Sequence, residues 1–236
     1  MEDVIKGKLF VISGPSGAGK GTICAKLVEL AQVVLSVSMT TRAPREHEQE
    51  GVSYYFVNKE RFKEIISEDG FFEYAEVYGE YYGTLKKPVL DMLDKGCDVI
   101  LEIDVNGAMQ IREIVPDVVL VFIMPPSPEE LRRRIEGRGT ETPERIQKRL
   151  ERSESEITQI SKYDYCVVND ILDTAVDDAL AIIRSESQSG SESRASFVSM
   201  GSCVKDSLSR AARLKLEKAD ADKIIEQYQK SSMKLN

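Results

Sequence analysis

A short run of glycines with one lysine is the part of this sequence whose residue types and spacing point most directly to chemistry. It reads Gly-Pro-Ser-Gly-Ala-Gly-Lys-Gly-Thr from Gly14 to Thr22 and directly follows the apolar residues 9–12. Glycines let successive backbone N–H groups turn inward on an anion, and a helix starting behind them adds its positive dipole end. The pattern predicts a cradle for nucleotide phosphates, with a structural glycine-rich turn as the alternative.

The whole cradle is predicted to contact phosphate, with Lys20 as its main charge. Its residues are Gly14, Pro15, Ser16, Gly17, Ala18, Gly19, Lys20, Gly21 and Thr22. The motif G-x-x-x-x-G-K usually continues with Ser or Thr, but here the hydroxyl comes one residue late, at Thr22. Because Gly21 has no side chain, it cannot supply a hydroxyl ligand to a metal ion at this position.

Five apolar runs rich in β-forming residues supply the elements that must position this cradle. Several are apolar on consecutive residues, which indicates strands covered on both faces and hence a parallel sheet flanked by helices. The runs are Leu9–Ser13, Val33–Met39, Val99–Asp104, Val118–Met124 and Tyr163–Val168.

Helical segments separate most of these runs. Ser127-Pro128-Glu129-Glu130 combines an N-cap, a proline at the first helical position and a capping-box glutamate, so a helix is expected to start there. Thr142-Pro143-Glu144 repeats much of that pattern, and further helices are predicted over Lys86–Lys95 and Asp173–Arg184. The stretch from Arg42 to Thr84 breaks the alternation, with short β pieces and one helix near 59–67, and indicates a small inserted subdomain.

Composition bounds the class of protein. The chain has 236 residues, is 42% hydrophobic and 31% charged, and carries a formal net charge of −8. We expect a cytoplasmic enzyme with no membrane or nucleic-acid partner, because no apolar run approaches the ~20 residues that span a bilayer and the acidic start does not resemble a signal peptide. The four cysteines are isolated in sequence and His47 lies in a polar run, so neither zinc nor disulfides are expected.

The last fifty residues differ from the rest. Eight serines fall between Ser185 and Ser202, which predicts a flexible linker over 187–202. The extension at 203–236 shows helical spacing at Leu208, Ala212 and Leu216, and is interpreted as a solvated or weakly docked helix, with partner binding as the alternative. We expect its removal to leave the chemistry unchanged.

Several blocks together resemble the guanylate kinase family. Besides the cradle, they are Ser36–Arg45, Tyr81–Thr84, Leu101–Asp104 and Glu136–Thr140. The resemblance covers about residues 8–185 and implies phosphoryl transfer from ATP to GMP. It also implies an α/β, P-loop NTPase-like fold with a five-stranded parallel sheet (core 1–41 and 85–186), a GMP-binding α+β insertion (42–84) and a helical lid (about 134–152).

The resemblance also assigns a GMP site. Glu73 matches the family residue that binds the guanine edge, where a carboxylate can accept hydrogen bonds from N1–H and the exocyclic amine. Ser38, Thr84 and Asp104 match positions lining the same base pocket. Arg42 and Arg45 match the arginines that hold the GMP phosphate, and Tyr54 and Tyr82 match the phenols beside them. From the residues alone, solvated arginines and packed tyrosines are the alternative.

The donor side is assigned in the same way. Arg134, Arg138 and Arg149 match the lid arginines that reach ATP and the transferring phosphoryl group, and Asn169 matches a residue near the adenine. With Lys20 and Arg42 they form the predicted catalytic set. The resemblance implies Mg²⁺ with ATP, held by Thr22 or mainly by phosphates and water with Asp104 in an outer shell. A kinase for another monophosphate and an inactive interaction module are the alternatives.

Overall fold

The computed structural model describes residues 6–77, 79–137, 143–189 and 201–233. Nine strands occur in these ranges: β1 Leu9–Ser13, β2 Val33–Leu35, β3 Met39–Thr40, β4 Tyr55–Phe56, β5 Phe71–Val77, β6 Glu80–Leu85, β7 Asp98–Glu102, β8 Val119–Met124 and β9 Tyr165–Val168. The same ranges hold nine α-helices: α1 Lys20–Leu30, α2 Lys59–Ser67, α3 Lys86–Asp94, α4 Val105–Ile114, α5 Pro128–Glu136, α6 Pro143–Ile157, α7 Leu172–Ser189, α8 Gly201–Leu214 and α9 Lys218–Ser232.

The main sheet has five parallel strands in the order β2-β7-β1-β8-β9. Every residue of β1 and β8 is buried, because helices cover both faces of the sheet. Two apolar clusters lie on the two faces, and alternate residues of each central strand contribute to them: Val11 packs in one, Phe10 and Ile12 in the other. The predicted α/β fold with a five-stranded parallel sheet flanked by helices is confirmed.

The prediction of one strand over Val33–Met39 is wrong. Val33–Leu35 forms the edge strand β2 of the main sheet, whereas Met39 and Thr40 form β3 in a second sheet. Ser36 donates one more hydrogen bond to the carbonyl of Ile100, at 2.9 Å, and the chain then leaves the main sheet. The two ends of the run are apolar because Val33 packs in a cluster of the main sheet and Met39 packs in the small core of the second sheet.

The second sheet has four strands in the order β4-β3-β6-β5. Its hairpin β5–β6 is antiparallel, with a bulge between Phe71 and Glu73. The helix predicted near 59–67 is α2, which begins after Asn58, whose side chain accepts a hydrogen bond from the N–H of Arg61. Phe62 and Phe71 stack with ring centroids 4.4 Å apart and form the small core of this unit.

The predicted helix starts lie at or beside the observed ones. The Ser127 hydroxyl accepts a hydrogen bond from the N–H of Glu130 and caps α5, which has Pro128 in its first turn. Leu131 and Ile135 form its buried face. Helix α6 begins at Pro143.

The C-terminal region differs most from the prediction. Helix α7 continues to Ser189, so the predicted linker does not begin at Ser187, whose hydroxyl donates to Asp98. The extension forms two helices, not one, and both are docked. Ala211 on α8 and Ala221 and Tyr228 on α9 are buried in the two main apolar clusters. The interpretation as a solvated or weakly docked helix is therefore wrong.

Between α8 and α9 the chain covers the edge of the main sheet. Lys215 forms an antiparallel bridge with Tyr165 of β9, and the N–H of Leu216 donates to the carbonyl of Asp164 at 2.8 Å. An open strand edge is a template for unwanted pairing, and the extension closes this one. Among the helices of the described ranges, none combines the length and apolar character needed to cross a bilayer. Cys24 and Cys166 are buried free thiols, whereas Cys97 is partly buried. His47 is exposed, as expected for a residue in a polar run.

Candidate active site

A cavity of about 630 Å³ opens between the main sheet, the second sheet and α6. It is the place where the chain brings the predicted residues together. Those that line it are Gly14, Ser16, Lys20, Ser38, Arg42, Arg45, Tyr54, Glu73, Tyr82, Asp104 and Arg149.

The glycine-rich run forms a turn between β1 and α1. Gly14, Gly17 and Gly19 have φ of 134°, 91° and 91°, in the left-handed region that favours glycine. Gly14 also lies against the main chain of β8, because a β-carbon there would be 2.2 Å from the carbonyl oxygen of Ile123. The N-terminus of α1 faces the turn, which completes the geometry of a phosphate cradle.

Lys20 lies folded across the cradle. Its Nζ donates to the carbonyl oxygens of Gly14 at 2.6 Å and Pro15 at 3.1 Å. Burial lowers the pKa of Lys20, and the nearby carboxylate of Glu102 partly opposes that shift. Burial likewise raises the pKa of Glu102, opposed by Lys20. A phosphate entering the cradle would replace the two carbonyls as the acceptor for this ammonium group.

Asn169 and Arg134 support the cradle from behind. The Asn169 amide donates to the carbonyl of Ala18 at 2.8 Å, and a β-carbon at Gly19 would lie 2.3 Å from Asn169 Nδ2. Arg134 donates from Nη2 to the backbone carbonyl of Asn169 at 2.9 Å and from Nε to Glu130 at 2.7 Å. Both predicted donor-side residues therefore contact the backbone and side chains around the cradle.

Glu73 forms a buried carboxyl on the opposite side of the cavity. It is 5% exposed, and its Oε1 accepts a 2.6 Å hydrogen bond from the hydroxyl of Thr84 on the neighbouring strand. Burial raises its pKa to about 7; the hydrogen bond from Thr84 opposes the shift and the Asp104 carboxylate adds to it. Helix α4 packs so closely that a β-carbon at Gly107 would lie 2.7 Å from Glu73 Oε2.

Asp104 links this pocket to α6. It caps α4 by accepting the N–H of Gly107 at 2.8 Å, and its other oxygen accepts from Arg152 Nη2 at 2.7 Å. Arg152 also donates from Nε to Glu156 at 2.8 Å. Burial raises the pKa of Glu156, while Arg152 opposes that shift.

Arg42 and Arg45 are gathered around Glu48. Arg42 Nη2 contacts both carboxylate oxygens of Glu48, at 2.8 and 2.9 Å, and Arg45 approaches the same carboxylate at 3.7 Å. The guanidinium of Arg42 lies 5.6 Å from the ring centroid of Tyr54, whose ring meets Tyr82 edge-on. The carboxylate of Glu48 thus pairs with the guanidinium groups of Arg42 and Arg45, as a bound phosphate could.

Helix α6 reaches over the cradle. Arg149 donates from Nη2 to the hydroxyl of Ser16, which joins the predicted lid to the phosphate site. Arg138 lies outside the described residues. Of the other predicted site residues, these are not part of the cavity lining within the described ranges: Pro15, Gly17, Ala18, Gly19, Gly21, Thr22, Thr84, Arg134 and Asn169.

Several cavity or supporting residues stand outside the set predicted from the sequence. They are Glu48, Glu102, Arg145, Arg152 and Glu156. The signal for Glu102 is a charge at the carboxyl end of a buried strand, and for Arg145 and Arg152 it is their helical spacing from Arg149. Glu48 has no such signal, because it lies in an irregular polar loop.

A glycine-rich turn between the first strand and first helix of a parallel sheet, with two arginines across one cavity, matches the architecture of P-loop phosphotransferases. Comparisons with known proteins show to which family of P-loop phosphotransferases the chain is similar. The guanylate kinase family model matches residues 6–186. A guanylate kinase from Clostridium acetobutylicum is 55% identical over 181 residues, covering 77% of this chain and 87% of that protein. One from Thermus thermophilus is 52% identical over 182 residues, covering 77% and 83%.

A solved structure agrees. The crystal structure of guanylate kinase from Anaplasma phagocytophilum superposes with a TM-score of 0.66 at 39% identity, covering 78% of this chain and 88% of that one. The chain belongs to the guanylate kinase family.

Proposed function

We propose that this protein transfers the terminal phosphoryl group of ATP to GMP, giving ADP and GDP, and accepts dGMP in place of GMP. The observation that carries the proposal is the buried carboxyl of Glu73, which lies in the same cavity as the phosphate cradle. This activity would serve the recycling of GMP in purine nucleotide metabolism. The cytoplasmic location and the absence of a nucleic-acid partner stay predictions.

Guanine recognition would rest on Glu73. Its ionised carboxylate can accept two parallel hydrogen bonds from N1–H and the exocyclic amine of guanine. Adenine has an acceptor at N1, so the same carboxylate would face a lone pair and the buried polar group would go unpaired. Thr84 fixes one oxygen of Glu73, and Ser38 lines the same cavity.

The GMP phosphate would bind where Glu48 now engages the arginines. Arg42 Nη2 donates to both oxygens of that carboxylate, and phosphate oxygens can take their place as charged acceptors. Tyr54 and Tyr82 line the cavity beside it and would add phenol hydroxyls. Arg45 is largely exposed and would close over the phosphate once it is bound.

The transfer itself needs no protein nucleophile. An oxygen of the GMP phosphate, whose second pKa is about 6, would form the new bond to the terminal phosphorus of ATP, and the bond to the bridging oxygen would break to release ADP. Lys20 and Arg149 would stabilise the charge on the transferring group, and Arg138 and Arg134 are proposed to assist. Enclosure by α6 would keep water from accepting the phosphoryl group.

Magnesium is proposed to enter with ATP. Within the described ranges no group of three or more His, Cys, Asp or Glu side chains forms a metal site, Thr22 lies outside the cavity lining, and Arg152 and Gly107 occupy Asp104. The residues therefore fit an ion held mainly by donor phosphates and water, with Glu102 as the nearest carboxylate to Gly21. When bound, Mg²⁺ would neutralise charge on the donor phosphates.

Glu73→Gln tests the proposal. The amide keeps the shape but presents a donor to guanine, so kcat/KM for GMP should fall at least about a hundredfold while KM for ATP changes less than about threefold. Steady-state kinetics with each substrate varied give both values. Glu76→Gln, an exposed carboxyl on the same strand, is the matched control and should behave as the parent.

An unchanged kcat/KM for GMP in Glu73→Gln would contradict the proposed base recognition. The inactive-module alternative makes a different prediction, namely that the parent protein fails to bind ATP at millimolar concentration by calorimetry. No observation at the site favours that alternative, since Lys20 and Arg149 both reach the cradle.

A further inference from the structure

Helices α8 and α9, here together called the C-terminal brace, lie beyond the residues matched by the family model. Its second helix packs against α5 and the 3-10 turn Ile160–Lys162. Ala221 and Tyr228 are 0% and 5% exposed, in the same apolar cluster as Leu131 and Ile135 of α5. The brace therefore contributes to the core behind α5.

The same α5 residues support the phosphate cradle. A β-carbon at Gly17 would lie 3.0 Å from Leu131 Cδ1 and 3.1 Å from Ile135 Cγ1, so the cradle turn rests directly on these two side chains. Protein cores are close-packed, and a change in one layer is felt in the next. A continuous layer of packed side chains thus connects Tyr228 to Gly17 through α5.

The brace also contacts the helix that reaches over the cradle. The hydroxyl of Ser232 donates to the carboxylate of Glu154 on α6. Glu154 lies five positions after Arg149, which contacts Ser16 of the cradle. One helix of the brace therefore touches both α5 and α6, the two helices that carry Arg134 and Arg149.

We propose that the C-terminal brace positions the donor-phosphate site and that Tyr228 is its main positioning residue. This proposal replaces the expectation from the sequence that removal of the extension leaves the chemistry unchanged. The inference rests on the proposed function only in that the cradle takes the phosphates of ATP. Loss of the Tyr228 ring lets α5 relax, which misplaces the backbone N–H groups of the cradle. The residues proposed for GMP lie outside α5, α6 and the cradle. They are on β5, on β6, in the loops before and after β3, and at the N-cap of α4.

Tyr228→Ala tests this proposal in the full-length chain. We expect ATP to bind about tenfold more weakly by calorimetry, because small displacements of phosphate-binding groups weaken binding strongly, while KM for GMP stays within about twofold. Tyr228→Phe should match the parent, because the Tyr228 hydroxyl has no hydrogen-bond partner within the described part of the chain. Lys230→Ala removes an exposed pair with Glu226 on the same helix and is the matched control.

All three variants are measured well below their thermal midpoints. Tyr228→Leu leaves a smaller cavity and takes the place of Tyr228→Ala if the latter does not fold; it should weaken ATP binding at least about threefold. Unchanged ATP affinity in a folded variant, or equal losses for ATP and GMP, would overturn the proposal. Calorimetry measures ATP binding without any turnover. A wrong proposal for the brace can therefore be distinguished from a wrong proposal for GMP phosphorylation.

Discussion

Glu73 is a buried carboxyl, and in the proposed function its protonation would decide whether guanine can bind. Its pKa is raised to about 7, mainly by burial, so the protonated fraction grows as the pH falls below that value. A protonated carboxyl offers a donor where guanine needs two acceptors. The pH of the medium should therefore control the apparent affinity for GMP.

We expect KM for GMP to rise about tenfold between pH 8 and pH 6, since each pH unit well below the pKa costs about a factor of ten in the ionised form. The phosphate of GMP also titrates, with a second pKa of about 6, so a reference is needed. In Glu73→Gln, KM for GMP should change little above pH 6. KM for GMP is measured for both proteins between pH 8 and pH 6. An identical profile in the two proteins would show that Glu73 is not the titrating group.

Gly21 marks the departure of the cradle from its usual pattern, and the structure shows what surrounds it. A β-carbon there would lie 3.4 and 3.5 Å from the two carboxylate oxygens of Glu102, which is ordinary contact, and the position does not require a left-handed backbone. A serine hydroxyl would thus fit beside Glu102. The lack of a hydroxyl at this position agrees with the proposal that donor phosphates and water hold most of the magnesium ion.

Gly21→Ser should leave turnover within about tenfold of the parent, because the ion would be held mainly by phosphates and water. Gly19→Ser is the contrasting variant: its φ of 91° and the 2.3 Å approach to Asn169 Nδ2 leave no room for a side chain. It should lose most activity. A large loss in Gly21→Ser, measured as kcat with MgATP, would mean that the donor phosphates lie differently.

At the scale of elements, the approach of α4 to β5 shapes the base pocket. Gly107 lies in the first turn of α4, where a β-carbon would be 2.7 Å from Glu73 Oε2 and 3.3 Å from Ile103 Cδ1. Glu73 cannot easily withdraw, because it is buried and held by Thr84. A glycine is needed here for close packing and not for its backbone angles.

Gly107→Ala should raise KM for GMP at least about tenfold with little change in KM for ATP, since the added methyl displaces the carboxyl that would bind guanine. The helical preference of alanine, about 1 kcal/mol over glycine, opposes any loss of stability. Asn106→Ala at the exposed neighbouring position is the control. Equal KM values for GMP in the parent protein and both variants would show that the packing of α4 against Glu73 does not affect GMP binding.

The elements also show what sequence patterns can and cannot establish. Consecutive apolar residues in Leu9–Ser13 and Val119–Met124 correctly predict strands buried on both faces. The same reasoning fails for Val33–Met39, because hydrophobicity does not reveal that the chain changes sheets after Leu35. Pairing of Met39 with Gly83 is a contact between distant residues that no local pattern encodes.

At the scale of the whole molecule, the candidate site follows from the sequence only where local signals are strong. The cradle is a contiguous motif with its own mechanism, and Glu73 and Arg42 were assigned through family resemblance. Glu48 pairs with Arg42 from an irregular polar loop and carries no local signal. Arg152 has helical spacing from Arg149, but its pairing with the distant Asp104 is not encoded locally. The C-terminal extension docks through apolar residues mixed with many polar ones, so its sequence does not predict burial. Ala211, Ala221 and Tyr228 are buried, and the partly buried residues packed on the main clusters are Leu214, Leu216, Ile224 and Ile225.

In the proposed function, one cavity holds a donor triphosphate at the cradle and GMP at Glu73 and Arg42. A coupled assay of the parent protein with MgATP and GMP, dGMP, AMP, UMP and CMP in turn tests it most directly. We expect kcat/KM for GMP to exceed that for AMP by at least about a thousandfold, because the buried carboxylate pairs with guanine and not with adenine. Equal turnover of AMP and GMP would contradict the claim.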